Sequence, residues 1–403
     1  MELFWLEHKK LWRKKIVKIC VLLCFVYCVI FGSILSFQWF SFGSSDDYTS
    51  AFGNNFDGYT VIKDSQEYAL SFGGELTDET LQQIVSDYQQ MEADGMEEEL
   101  EKTDWQIVNS WLGTLYPELR DTSNYKTMIS YVDPDKLTGF YERRQQVLDE
   151  FLEVSGQVGA EKEFLHQIER KVEKPFHYEW VEGWSTLLGS MVADLGVVMA
   201  LFLGIVLSSL FAGEWHDNTS TLVLTTRNGW GKIALAKILT GLAFTVELFV
   251  LLAVSSVISQ LFFMGTAGWN MPIQNIKLIA VAPMNMLQAE IYEYAFVLLG
   301  AIGFAGIVMF ISAAVKNNVL TLLLSLTVVY GPMMIAEYLP YGMQKALDLI
   351  PLVGSSTDIF RTNTFRIFGK LIWSPYLLIT IPVLIGILCM PFAIKSWSRR
   401  MKA

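Results

Sequence analysis

Six long stretches of this chain are almost free of charge, and that recurrence constrains the fold more than any other feature of the sequence. A bilayer core of about 30 Å is crossed by about 20 apolar helical residues. The predicted spans cover residues 16–40, 186–211, 233–263, 291–314, 319–338 and 373–394. The first has no charge between Lys18 and Asp46, and the second has none between Asp194 and Glu214. Only Val315, Lys316, Asn317 and Asn318 separate the fourth span from the fifth, which predicts a tight helical hairpin with an inner turn at 315–318. Pro382 and Pro391 are expected to kink the sixth. The first run is longer than a typical signal core and no small-residue cleavage site follows it, so it reads as a retained anchor.

Charge is unevenly divided as well. The chain holds 30 Lys+Arg and 41 Asp+Glu, a net −11. Residues 41–185 hold 30 acidic against 11 basic side chains, a net −19, which leaves +8 for the rest. With 52% hydrophobic residues, this division argues against a cytosolic or secreted globular enzyme, and no basic face offers itself to nucleic acid. Lysine and arginine counts set the orientation. An amino terminus inside puts thirteen of them in short inner segments, against five in short outer ones (Lys277, Lys345, Arg361, Arg366 and Lys370). Both termini are then cytoplasmic and residues 41–185 extracytoplasmic. Residues 212–232 form an inner loop, 264–290 an outer loop, 339–372 an outer segment and 395–403 a cytoplasmic tail. Ten of twelve tryptophans border a predicted span, where an amphipathic ring suits the headgroup region. In residues 1–15, Leu3, Phe4, Leu6, Leu11 and Trp12 alternate with His8, Lys9, Lys10, Arg13 and Lys14. That pattern predicts an amphipathic cytoplasmic helix against membrane lipid; a disordered basic tail is the alternative.

The acidic block should fold, because aromatic and aliphatic residues recur through it at packing intervals. Tyr59 to Phe72 has strand-like stretches, and Thr77 is an expected N-cap with Asp78 and Glu79 in the favourable first turn. Further helices are expected over about 104–115, 134–154 and 160–172. All four cysteines lie elsewhere, so no disulfide is expected, which fits a bacterial, Gram-positive-type cell surface. Cys20, Cys24 and Cys28 form a stripe read as small packing residues in preference to a soft-metal site. His166, Glu169, Glu173 and His177 would share a helical face; a solvated charged face is favoured over a metal patch.

No zinc-protease helix, nucleophile elbow or phosphate-binding loop is present in the sequence, so no catalytic set and no cofactor are assigned to this chain. Two intramembrane polar residues stand out, Asp194 in the second span and Glu247 in the third. Each costs about 2.5 to 3.5 kcal/mol in lipid and should face an interior, an interface or water. Either a cavity role or a structural pairing with a Ser, Trp or backbone group would serve. The most informative segment is the inner loop, which runs from Glu214 through Asp217, Asn218, Thr219, Leu222, Val223 and Arg227 to Lys232. An acidic residue at the membrane exit, a short helix with Leu222 and Val223 on its apolar side, a turn at Asn228-Gly229 and a lysine at the next span make a compact element built for contact.

In this segment the sequence resembles the permease subunits of ABC transporters of the type 2 exporter superfamily, which have the type V exporter fold. Glu214, Thr219, Leu222, Leu224, Arg227 and Lys237 stand at that family's motif places, with Asn218 where a glycine is usual. The turn after Ile311, Ser312, Ala313 and Ala314, and Leu349-Ile350-Pro351 before the last span, are similar too. The resemblance covers the amino-terminal helix and the six spans but not the acidic domain. It implies an all-α polytopic membrane protein with six transmembrane helices, to which the apolar spacing in residues 41–185 adds a mostly helical extracytoplasmic domain between the first and second. It further implies a cytoplasmic ABC ATPase subunit as partner, carrying ATP and Mg, and a second permease copy or homologous permease. Export of a peptide, lipid or drug-like substrate is the implied activity. Glu214, Asp217, Asn218, Thr219, Leu222, Val223 and Arg227 are the expected ATPase-coupling residues. The rival reading is a membrane sensor whose outer domain binds a ligand, although no inner segment is large enough for an output domain.

Overall fold

The computed structural model describes residues 1–30, 66, 73–96, 105–121, 126–217, 219, 231–353 and 363–399 of this chain. The chain opens with α1 (Glu2–Arg13) and α2 (Lys15–Val29), broken at Lys14, whose backbone is extended. The first expected span is therefore described only as far as Ile30, and its remainder lies outside the described residues. Cys20, Cys24 and Cys28 recur every fourth residue, share one face of α2 and are buried in the helical core.

The acidic domain comprises β1 (Gly74–Glu75), α3 (Asp78–Ala93), α4 (Trp105–Leu115), α5 (Phe140–Val154), α6 (Ala160–Glu169), β2 (His177–Tyr178) and α7 (Glu182–Thr186). Thr77 caps α3 by accepting the Thr80 amide at 3.3 Å. Asp78 in the next position serves a second helix, since its carboxylate accepts the amides of Gly139 and Phe140 at 2.6 and 2.9 Å where α5 begins. Leu81, Val85, Leu112, Tyr116, Phe140 and Phe176 fill the core, and β1 pairs antiparallel with β2 to close the chain on itself. The strand-like stretch over 59–72 lies, apart from Gln66, outside the described residues.

Two expectations for this domain are corrected. The fourth helix ends at Glu169 instead of reaching residue 172, and Glu169 belongs to no solvated face. It is 3% exposed and receives Arg144 Nη1 at 2.5 Å and Lys174 Nζ at 2.8 Å. A carboxylate needed for a buried ion pair cannot also face water. His166 instead meets Asp149 at 2.9 Å.

Beyond a π-helical turn at Leu187–Met191 come α8 (Val192–His216), α9 (Lys232–Met264), α10 (Met286–Ala314), α11 (Asn318–Ile335), α12 (Tyr341–Leu347), β3 (Thr364–Ile367), β4 (Lys370–Trp373) and α13 (Ser374–Arg399). Among the described residues five helices, α8, α9, α10, α11 and α13, are long and apolar enough to cross a membrane, as fits a multi-pass membrane protein. A reciprocal capping box between Asn285 and Gln288 starts α10, and Asn317 caps α11. The central helix is α10, packed against α8, α9 and α13. Its contact with α13 is set by glycines: a Cβ on Gly303 would lie 2.3 Å from the Pro382 carbonyl, and one on Gly306 2.4 Å from that of Gly386.

The described fold is mostly helical, but the all-α expectation misses two antiparallel strand pairs, β1 with β2 and β3 with β4. The second is a hairpin whose turn residues, Phe368 and Gly369, both have positive φ (49° and 80°), as a two-residue turn matched to strand twist demands.

The acidic domain, residues 265–285 and the β3–β4 hairpin gather at one end of the apolar helices. Trp111 Nε1 donates to the Asn275 carbonyl at 3.0 Å, Arg144 to those of Leu278 and Ala280, and Thr364 to Gln157 at 2.7 Å. The other end gathers α1, the end of α8, the start of α9 and the end of α13.

Candidate functional site

At this second end the last turn of α8 carries Glu214, 4% exposed, between two basic helices. Its Oε1 accepts Lys10 Nζ of α1 at 2.6 Å and Lys237 Nζ of α9 at 2.8 Å. Lys237, 2% exposed, also donates to Glu7 of α1 at 2.7 Å. The Thr219 hydroxyl donates to Glu214 Oε2. Two carboxylates thus face two ammonium groups in a charge-balanced quartet, with the buried pair Glu214–Lys237 at its centre, Glu7 partly covered and Lys10 half exposed at its edge. Burial disfavours the charged form of Lys10, but the Glu214 hydrogen bond and the charges of Glu214, Glu7 and Asp217 together outweigh it and raise its pKa above the ordinary value. Lys14 has no carboxylate at contact distance among the described residues and donates to Ser209 at 2.9 Å. Burial, then repulsion from Lys237 and Lys10, lowers its pKa.

The opposite face of the same turn is gripped as firmly. Trp215 lies edge-on to Trp397 of α13 at 6.1 Å, and Lys316 of the α10–α11 turn sits 4.5 Å over the Trp215 ring. One turn earlier, the Ser312 hydroxyl of α10 accepts the amides of Phe211 and Ala212, each at 3.1 Å, and donates to the Ser208 carbonyl at 2.7 Å. The exit of α8 is therefore tied to α1, α9 and α10 by polar contacts, and to α13 by an aromatic one, within about three turns.

Of the expected coupling residues, the structure joins Glu214 to Thr219 and leaves Asp217 exposed beside them. Asn218, Leu222, Val223 and Arg227 lie outside the described residues. Glu247 is engaged by α1: Trp12 Nε1 donates to it at 3.0 Å and His8 Nε2 lies 3.2 Å away. Trp12 also packs edge-on against Phe244 of α9. Asp194 is exposed and hydrogen-bonds with Tyr27 of α2. Sequence reasoning passed over Glu7 and Lys10, which looked like ordinary members of a basic amphipathic segment. It also passed over Glu290 and Glu293, which are 4% and 0% exposed in the first turns of α10. Their signal was available: two carboxylates three residues apart at the edge of an apolar run. Among the described residues no group of three His, Cys, Asp or Glu side chains is placed to hold a metal ion.

No protein-family model matches this chain, nor does any curated protein or solved structure.

Proposed function

We propose that the chain is the membrane-spanning permease subunit of an ATP-driven exporter, working with a separate cytoplasmic ATPase that holds ATP and Mg. The observation that carries this reading is the Glu214 quartet. A segment pushed from the cytoplasm must pass its displacement to the spans, and the loop that begins at Asp217 leaves α8 from the turn where α1, α8 and α9 are locked by buried charge. A contact on that loop would be felt by several spans at once, which is what a two-state bundle biased by ATP binding requires. In this scheme Glu214, Asp217, Asn218, Thr219, Leu222, Val223 and Arg227 form the coupling element. Asp194 and Glu247 hold helices together, with Tyr27 and α1 respectively. The substrate is a peptide, lipid or drug-like molecule, and a second permease copy or homologue completes the pathway.

The test is purification of the full chain from native membranes with its ATPase, followed by measurement of ATP hydrolysis. Burying one leucine contributes about 1.5 to 3 kcal/mol, so Leu222→Asp should release the ATPase while membrane insertion is kept. Glu214→Gln should retain the ATPase and lower coupled hydrolysis. Full ATPase retention and unaltered turnover in Leu222→Asp would reduce the loop to a connector and remove the reading's main support.

A further inference from the structure

Where the acidic domain meets the segment leading into α10, a cavity of about 450 Å³ opens between residues 171–177 and residues 270–288. That volume takes a small organic ligand. Its walls are fixed before anything binds. Asn275 Nδ2 donates to the His177 carbonyl at 3.0 Å, Ile273 and Met284 are joined by a backbone bond of 3.2 Å, and Met286 and Met271 by one of 2.9 Å.

The charges at the cavity are distributed in a telling way. Of the three charged side chains between 171 and 174, Lys174 is turned to Glu169 at 2.8 Å. Lys171 and Glu173, which line the cavity, are exposed and form no ion pair among the described residues. The wall thus offers one unused cation and one unused anion within three residues of chain. Amides of Asn270, Gln274 and Gln288 lie around them, with Phe176 and Met271 as the buried apolar part. Gln274 is fully buried; its Nε2 donates to the Ala280 and Ala282 carbonyls at 2.9 and 3.0 Å, while its Oε1 accepts no hydrogen bond. Sealed from solvent, that oxygen is out of a ligand's reach, and Gln274 serves to hold the wall in shape.

The geometry points to a binding site for a short peptide with free amino and carboxyl ends. Lys171 takes the carboxylate and Glu173 the ammonium group, and the exposed amides of Asn270 and Gln288 serve the peptide bond. A ligand of single charge would leave one of the two unmatched, and a purely apolar one would desolvate both. The site owes nothing to the ATPase or to the transport reading.

Tri-alanine is the probe, titrated calorimetrically into the purified full-length protein in detergent, beside tri-alanine acetylated at its amino end and amidated at its carboxyl end. Saturable binding of the free peptide is expected, weaker by about tenfold or more for the capped one, because both charge matches are lost. Lys171→Ala and Glu173→Ala should each weaken the free peptide by about tenfold and leave the unliganded melting temperature unchanged, since both side chains are exposed. Absence of saturable tri-alanine binding, equal binding of the capped peptide, or unchanged affinity in both variants would overturn the site.

Discussion

Glu214 and Lys237 are neighbours only in the fold, and their burial makes each dependent on the other. Glu214→Ala leaves the Lys237 ammonium with Glu7 alone, and breaking a buried pair from one side costs about 3 to 5 kcal/mol. In denaturant titrations of the purified protein, the Glu214→Ala/Lys237→Ala double variant should be less destabilised than the sum of the single ones by about 1 kcal/mol or more. Strict additivity would mean that the two charges do not interact. Glu169 allows a test by pH. Burial favours its neutral form, but hydrogen bonds from Lys174 and Arg144 prevail and hold its carboxyl below the ordinary value. A depressed carboxyl contributes stability above the unfolded-state pKa of about 4.3 and loses it as pH falls through the folded-state value. The wild-type protein should thus lose stability below about pH 4 more steeply than Glu169→Gln, as read by unfolding midpoints at successive pH values.

At the scale of elements, the contact between α10 and α13 depends on missing side chains. Gly306→Ala would drive a methyl group into the Gly386 backbone, so the helices must separate, at a cost of about 1 to 3 kcal/mol. Gly196→Ala in α8 meets nothing within 4 Å and should be neutral or slightly stabilising, because alanine favours helix over glycine. Equal melting temperatures for the two variants would show that the contact is looser than its geometry. The hairpin of β3 and β4 obeys a similar local rule, with Gly369 in the turn and Trp373 buried at the strand end that leads into α13.

For the whole molecule, the acidic domain and the Glu214 quartet occupy opposite ends of the apolar helices, so orientation decides which is exposed to which compartment. The proposed orientation, with the acidic domain outside, rests on the count of thirteen inner against five outer basic residues. In a variant lacking Cys20, Cys24, Cys28 and Cys389, Val154→Cys sits on an 89% exposed residue of that domain. It should react with a membrane-impermeant thiol reagent in intact cells. Reaction only after permeabilisation would invert the topology and with it the proposed path from ATPase to spans.

The sequence by itself determined where the apolar helices lie, because lipid-length runs and the Asn and Thr caps are local properties of the chain. It marked Glu214, Thr219 and Lys237 as a set only through a resemblance, and nothing in residues 1–15 showed that Glu7 and Lys10 would complete that set. Long-range pairing is invisible to periodicity: Lys10 and Glu214 are 204 residues apart, and Arg144 finds its carbonyl partners in another segment altogether. The short strands escaped for the same reason, since a pair such as Gly74–Glu75 with His177–Tyr178 has no alternation long enough to read and exists because the domain closes there. Tertiary structure alone decided which charges are buried together, which carboxylates are spent in ion pairs, and which, like Glu173, are left open at a cavity wall. Those outcomes depend on solvent exclusion by residues far along the chain.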